Sequence, residues 1–367
     1  MPYIHELADW PKLTWNAEAL AAPLAAVRHD QGRLLGKMGT LGFELQSEAS
    51  LTVLTADVVK SSAIEGESLD PEEVRSSIAS RLGLRVAGLP RPSRHVDGVV
   101  EMMLDATQKF AEPLTAERLF GWHAALFPTG RSGLSRIAVG RWRPEEAGPM
   151  QVVSGPIGKE KVHFEAPAAS RLDKEMAAFL HWLNSTETID PVLKAGLAHF
   201  WFVTIHPFED GNGRVARAIA DMCLARADGV KERFYSMSAQ IEAERKDYYA
   251  TLEQTQRGGL DVSEWLSWFL SCLGRAIAAS DGRLASVLSK ARMWESLGAV
   301  GVNERQQEVL NRMSGDWEGF VSTSKYARMA KCSADTALRD IQELERRGVL
   351  VRNPGKGRST SYRLADF

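Results

Sequence analysis

Apolar residues recur at three- and four-residue spacings along most of this chain, a pattern that predicts a mainly α-helical protein. An Ala- and Leu-rich stretch from Ala17 to Leu35 reads as a helix, and a glycine-spaced segment follows it to Gly42. A second helix is expected from Ser47 to Glu65, where Leu51, Leu54, Val58, Ser61 and Glu65 share one face. That stripe aims Glu65 toward the core, where an unpaired carboxylate costs on the order of several kcal/mol, so it needs a cation. Pro71 opens another helix after a Ser68-Leu69-Asp70 cap region. Residues 83–93, with four Gly and Pro besides Arg85 and Arg91, read as a connecting loop. Helical patterning then runs from about 94 to 280, and the apolar stretch Pro191 to Ile205 has the character of a buried helix. Near 130–167 the pattern breaks. There Gln151-Val152-Val153 and Val162-His163-Phe164 flank a Gly155-Pro156-Ile157-Gly158 turn, which predicts a β-hairpin.

Beyond a glycine-marked linker at Gly298-Ala299-Val300-Gly301, helices are expected at 304–313, 322–330 and 333–347, then strands at 349–352 and 359–364. This is winged-helix order, with Ser333 as an N-cap and Leu338, Ile341 and Leu344 packing the third helix. The chain thus divides into an N-terminal helical segment at 1–93, a helical core at 94–297 and a winged helix at 303–367.

A hydrophobic content of 44% over 367 residues supports a globular core, and the net charge of -2 excludes an overall basic nucleic-acid coat. Residues 324–363 depart from that average, with ten Lys and Arg against four Asp and Glu, a net of +6. Arg339 is placed to approach a DNA groove, and Lys356 and Arg358 on the wing to meet phosphate. Acidic Asp335, Asp340 and Glu343 on the same helix fit a protein-contact module instead, and both readings stay open. Cys223, Cys272 and Cys332 are too scattered for a disulfide framework or a CxxC metal site, and no His-Glu-x-x-His spacing occurs. With no signal-peptide pattern and no membrane-length apolar run, a cytoplasmic location without membrane contact is expected.

Residues 206–217 concentrate the chemistry: His206-Pro207-Phe208-Glu209-Asp210-Gly211-Asn212-Gly213-Arg214-Val215-Ala216-Arg217. The string lies on a tight turn before a helix, so Gly211, Asn212 and Gly213 present backbone N–H groups at a helix N-terminus, which attracts anions. Arg214 and Arg217, three apart on that helix, can clamp phosphate oxygens. Asp210 would repel phosphate unless a divalent cation such as Mg²⁺ stood between them. His206, expected in extended backbone before Pro207, supplies a general base. His123, His181 and His199 sit among apolar residues and are expected in core or surface roles.

This string resembles the Fic family signature, His-Pro-Phe-x-(Asp/Glu)-Gly-Asn-(Gly/Lys)-Arg-x-x-Arg, at every fixed position. The resemblance implies a Fic-type helical core that binds ATP with Mg²⁺ and transfers AMP to a Ser, Thr or Tyr hydroxyl of a protein target. Carried over, it makes His206 the base, Phe208 a buried anchor and Asp210 the Mg²⁺ ligand. Gly211, Asn212 and Gly213 would form the anion hole, Arg214 would hold the outer phosphates and Arg217 would orient the γ-phosphate. The predicted hairpin is similar to the family's flap, which aligns the target by strand addition. Arg245 to Leu252 resembles the post-motif helix, which implies a nucleotide pocket with Tyr248, Tyr249 and Gln256, the last standing where Asn is common in relatives. The segment with Trp10 and Trp15 resembles one that precedes the core in a subgroup of Fic proteins. Ser61-x-x-x-Glu65-Gly66 is similar to the inhibitory motif (Ser/Thr)-x-x-x-Glu-(Gly/Asn), so the helix at 47–66 would place Glu65 on Arg217 and obstruct the γ-phosphate. Two alternatives remain: removal of AMP at the same site, with Glu65 positioning a water, and a winged-helix transcriptional regulator with a nucleotide-sensing Fic core. A homodimer is left open.

Overall fold

The computed structural model describes residues 2–84, 89–155, 161–186, 189–298, 301–313, 320–354 and 360–365, without the side chains of 147, 283–292, 295, 296 and 298. Arg85, the expected turn residues Pro156, Ile157 and Gly158, and the wing residues Lys356 and Arg358 lie outside the described residues. Two compact units form, Met1–Ser280 and Asp281–Phe367.

In the first unit the helices are α1 (Ala17–Gly39), α2 (Phe43–Ile64), α3 (Pro71–Arg81), α4 (Arg94–Gln108) and α5 (Ala116–Leu126). Two small hairpins come next, β1 (Arg131–Ser132) with β2 (Ser135–Arg136), and β3 (Gln151–Ser154) with β4 (Lys161–Glu165). Then come α6 (Leu172–Asn184), α7 (Pro191–Ile205), α8 (Asn212–Asp228), α9 (Met237–Ala243), α10 (Arg245–Gln256) and α11 (Ser263–Gly298). Pro191 starts α7 and the Asp190 carboxylate caps it by accepting from the Val192 N–H at 2.8 Å. Being apolar all round, α7 is buried along nearly its whole length, with α8 packed beside it as the centre of the unit.

The α2 helix packs on α3 and α9 and reaches α4 and α8, so the segment expected as a separate piece at 1–93 shares a core with the helices of the expected core segment. Leu51, Leu54, Val58 and Ser61 are buried as their spacing predicts. Glu65 is not. It caps α2 at φ −88°, ψ 4°, and its side chain is 31% exposed, because the helix and its stripe end one residue earlier. Chain beginning and unit end are also joined: the Thr14 N–H donates to the Leu260 carbonyl and the Val262 N–H to the Thr14 carbonyl, both at 2.8 Å.

The second unit contains α12 (Glu304–Met313), α13 (Thr323–Met329), α14 (Ala334–Arg346) and the antiparallel pair β5 (Leu350–Arg352) and β6 (Tyr362–Leu364), to which Val321 adds a bridge at Tyr362. Its helix and strand order is the one expected. The linker reading at 298–301 differs from the observed division after Ser280, which falls inside unbroken α11; helical periodicity does not register where a helix changes its packing partners. Met293, Val309, Leu310, Tyr326, Ala337, Ile341 and Leu344 belong to this unit's core. Leu338, expected to pack there, is 40% exposed, because the buried stripe on α14 is Ala337, Ile341 and Leu344, and residue 338 falls a quarter-turn away.

Candidate functional site

The loop between α7 and α8 is held from three sides. His206 ends α7 in left-handed backbone, φ 52° and ψ 57°, its N–H still donating to the Phe202 carbonyl at 3.0 Å. Extended backbone was expected there. A following proline excludes the right-handed helical region, and the chain turns the corner through the left-handed one instead. Asn212, at the first turn of α8, closes the loop by a reciprocal pair: its Oδ1 accepts from the Phe208 N–H at 2.9 Å and its Nδ2 donates to the Phe208 carbonyl at 2.8 Å. Phe208 is fully buried and stacked on His123, centroids 4.1 Å apart and planes 7° from parallel. Arg143 supplies the third support, donating from Nε to the His206 carbonyl at 2.9 Å, from Nη2 to the Pro167 carbonyl, and from its backbone N–H to the Pro207 carbonyl at 2.9 Å.

His206 Nδ1 lies 3.1 Å from the Val203 carbonyl, which can only accept, so Nδ1 carries the proton and Nε2 keeps its lone pair. Burial lowers the imidazole to about pKa 4 against the opposing pull of that carbonyl, and the nearby Arg143 lowers it further. The ring is therefore neutral at pH 7.

Gly211 is left-handed at φ 81°, and a Cβ there would come 2.9 Å from the Phe127 ring, so only glycine serves this N-cap. The first residues of α8 have no carbonyl one turn back to bond, which leaves Asn212, Gly213 and Arg214 offering N–H groups to an anion. The Glu65 carboxylate sits over Gly213: a Cβ at that residue would collide with Glu65 Oε1 and come 3.1 Å from Arg217 Nη1.

Both motif arginines are 2% exposed and both are engaged by the turn that ends α2. Arg217 donates from Nε to Ser61 Oγ and from Nη2 to the Ser61 carbonyl, each at 2.9 Å, and Nη2 pairs with Glu65 Oε1 at 2.8 Å. Arg214 Nη1 pairs with Glu67 Oε2 at 2.7 Å while its guanidinium lies 5.1 Å from the Phe127 ring centre. Gly66, at φ 84°, provides the turn between the two carboxylates.

Asp210 accepts from the Gly211 N–H at 2.5 Å through Oδ1 and from the Ser132 hydroxyl through Oδ2. Two accepted bonds leave about half of a carboxylate's roughly four lone-pair directions free. Among the described residues no group of three or more His, Cys, Asp or Glu gathers into a metal cage. One carboxylate beside an anion nest suits Mg²⁺, which takes one or two carboxylates and leaves its other positions to phosphate and water.

The pocket candidates on α10 separate. Tyr248 is buried, its hydroxyl 2.9 Å from His199 Nε2, and Gln256 is buried and donates to Thr204 Oγ1 at 3.2 Å. Tyr249 is part-exposed and its hydroxyl donates to the Ile64 carbonyl at 3.4 Å, beside Glu65. The β3–β4 hairpin is clipped to α10: His163 Nδ1 meets Glu253 Oε2 at 2.6 Å and its Nε2 meets Ser154 Oγ at 2.6 Å. Arg257 Nη2 adds bonds to the Val162 and His163 carbonyls. Among the described residues no strand pairs with the other edge of β3.

Arg143, Ser132 and Glu67 were not singled out by the sequence, since each acts on the site from 60 residues or more away, and His123, expected in a core or surface role, is buried against the loop. Only the β1–β2 turn left a local trace, the Gly133-Leu134 pair that suits a two-residue hairpin.

Parts of this chain are similar to known proteins. Residues 113–224 match the Fic/DOC family, and residues 3–84 match a domain of unknown function, DUF4172. The chain carries a Fic/DOC-family domain. It is 30% identical over 200 residues to the protein adenylyltransferase fic-1 of Caenorhabditis elegans, covering 54% of this chain and 36% of that one. With the protein adenylyltransferase Fic of Nematostella vectensis it shares 37% over 115 residues, 31% of this chain and 25% of the relative. The chain thus spans about a third or less of the length of these curated relatives. Among solved structures, a Fic family protein from Desulfovibrio desulfuricans superposes with a TM-score of 0.55 at 22% identity, covering 97% of this chain and 98% of that one. A Fic domain containing signaling protein from Bacteroides thetaiotaomicron gives 0.52 at 18%, covering 69% and 95%. The fold is that of Fic proteins.

Proposed function

We propose that the chain is a protein adenylyltransferase that moves AMP from MgATP to a Ser, Thr or Tyr hydroxyl of a protein target, and that Glu65 holds it at low activity. The observation that carries this reading is a neutral His206 with Nε2 unprotonated, set one tight loop away from a helix N-terminus and two buried arginines. His206 Nε2 takes the proton of the target hydroxyl as its oxygen bonds to the α-phosphorus of ATP, and the bond to pyrophosphate breaks. The N–H groups of α8 with Arg214 and Arg217 bind the phosphates and the departing charge. Asp210 would hold Mg²⁺, which neutralises phosphate charge when bound. The unpaired edge of β3 supports alignment of an extended target segment by main-chain hydrogen bonds. Glu65 lies on the guanidinium and over the glycine where outer phosphates would bind, so a triphosphate must displace it. The same carboxylate could orient a water for hydrolytic removal of AMP, which releases AMP and the free hydroxyl. Incubation of the wild type and Glu65→Gly with α-labelled ATP and lysate, with mass spectrometry of labelled proteins, tests the assignment. An absence of labelled product from both would end it, and release of AMP from a modified target by the wild type alone would favour removal.

For the second unit we infer contact with duplex DNA. Asp340 is buried and neutralised by Arg305 at 3.2 Å, and Glu343 pairs with Arg347, so two of the acids that spoke for protein contact are engaged within the unit. Lys325, Arg328, Lys331, Arg339 and Arg346 remain exposed on the described part of this unit. That distribution supports phosphate contact with Arg339 toward the bases.

A further inference from the structure

The turn that ends α2 carries a second glutamate, Glu67, whose backbone is set by the same cap as that of Glu65. The Gly66 N–H donates to the Ala63 carbonyl and the Glu67 N–H to the Ser62 carbonyl, each at 3.0 Å, which is the double bond pattern of a Schellman cap. Left-handed Gly66 sits at its centre, so the cap sets Glu65 and Glu67 on either side of one rigid turn. Each meets a different arginine of α8: Glu65 meets Arg217 at 2.8 Å and Glu67 meets Arg214 at 2.7 Å.

Arg214 is 2% exposed, and its Nε has no hydrogen-bond partner. A guanidinium so far from water requires an anion at all times, and breaking such a pair without replacement is strongly unfavourable. Glu67 meets that need in this structure. Its own side chain is 38% exposed, so the carboxylate has water to turn into while the buried arginine does not. His95 Nε2 on α4 lies 3.5 Å from the same Oε2, so the carboxylate bridges the arginine and a half-exposed imidazole. An incoming phosphate on Arg214 would face Glu67 at close range, and two anions on one cation repel unless one leaves.

We propose that Glu67 is a specificity-determining residue: it stands in for an outer phosphate on Arg214 and sets how strongly the site favours ligands able to displace it. This rests on the reading of Arg214 as a phosphate-binding group. Glu67 acts through Arg214 and touches no reacting atom, so it is a positioning residue. Two consequences separate it from Glu65. Removing Glu65 frees Arg217 only, and the remaining carboxylate continues to compete. Ligands without outer phosphates do not reach Arg214 and are indifferent to Glu67.

The experiment titrates the full chain calorimetrically with ATP, AMP and inorganic pyrophosphate in the Glu65→Gly background, alone and with Glu67→Gln or Glu67→Asp. Glu67→Gln keeps shape and removes charge; it is expected to tighten ATP and pyrophosphate at least fivefold and to change AMP less than twofold. Glu67→Asp, which keeps the charge, is expected to stay within twofold of its parent for every ligand. An equal gain for AMP would reduce the effect to general charge and overturn the proposal. Unchanged or weaker binding of ATP and pyrophosphate in Glu67→Gln would overturn it too, leaving Glu67 as a brace for Arg214. Should pyrophosphate respond as expected while ATP binds no variant, the displacement by phosphate stands and the nucleotide reading falls, so the two failures are told apart.

Discussion

His206 Nδ1 stands 3.1 Å from the carbonyl of Val203, one turn back on the helix that His206 ends, and this contact fixes the tautomer of the ring. With Nδ1 committed as donor and burial holding the imidazole near pKa 4, the group is a base across the neutral range. A histidine at its ordinary pKa near 6.5 would lose about tenfold in its neutral fraction by pH 5.5. The transfer rate of Glu65→Gly is expected to vary less than twofold between pH 7.5 and 5.5, by initial rates with saturating nucleotide. A tenfold decline over that window would remove His206, as placed here, from the role of base.

Replacement of His206 by alanine is expected to lower transfer by at least a hundredfold and to leave the affinity for ATP within about threefold, because a base acts in the transition state and not on bound phosphates. Calorimetry beside a transfer assay measures both. Comparable losses in the two would mean that His206 shapes the nucleotide site instead.

Glu65→Gly is expected to raise modification of targets or of the chain itself at least tenfold, and Arg217→Ala added to it to abolish the gain, since the pair at 2.8 Å occupies the group that would receive phosphate. Labelling with α-labelled ATP reads both variants. Lower activity of Glu65→Gly in every assay would make the carboxylate catalytic or structural.

His123 stacks on Phe208 with its Nε2 3.2 Å from the Asp210 carbonyl, and burial lowers its imidazole to about pKa 4, so it is a neutral brace. Truncation to alanine leaves a cavity under the loop and is expected to cost about 2–3 kcal/mol in urea unfolding. His123→Phe restores the stack without the polar contacts and should recover part of the loss. An unchanged unfolding midpoint for the alanine variant would show that the loop does not lean on this ring.

Arg339→Ala in the full chain is expected to weaken binding to a selected duplex more than to random sequence, whereas Lys325→Ala should weaken both alike and flatten the salt dependence by about one unit of slope. Gel-shift titrations at two salt concentrations measure this. No shift by the wild-type chain at micromolar concentration and low salt would turn the basic face over to a protein partner.

The parts of the site that could be read from the sequence are those whose information is local. His206 through Arg217 fit on one loop and one helix turn, so their spacing states their geometry. The stripe said only that Glu65 needs a cation; Arg217 as its partner came from the resemblance to the inhibitory motif, and the helix ended before the stripe did and left Glu65 at the rim. Arg143, and the stacking of His123 on Phe208, were not legible because these contacts join segments with no shared period. His206 was misread in backbone because a following proline excludes one region of φ and ψ and does not choose between the others. Tyr248 and Gln256 follow the helical pattern faithfully, and that pattern alone does not say which face meets the core.

The strand-like contacts of Thr14 with Leu260 and Val262 act as a clasp, and the segment before them reaches the β3–β4 hairpin. His5 Nε2 lies 2.8 Å from the Glu165 carbonyl at the end of β4, and Arg171 Nη2 reaches the His5 carbonyl at 3.0 Å. The base of the β3–β4 hairpin, the start of α6 and the turn into α11 therefore share one fastening, made by a short stretch of chain that carries none of the motif. Such a segment is expected to open as a unit, so amide protons of Thr14, Val262 and Ala166 should exchange together, at a rate set by that opening and not by global unfolding. Opening of residues 3–14 would thereby set the freedom of the β3–β4 hairpin from a position 190 residues or more before His206.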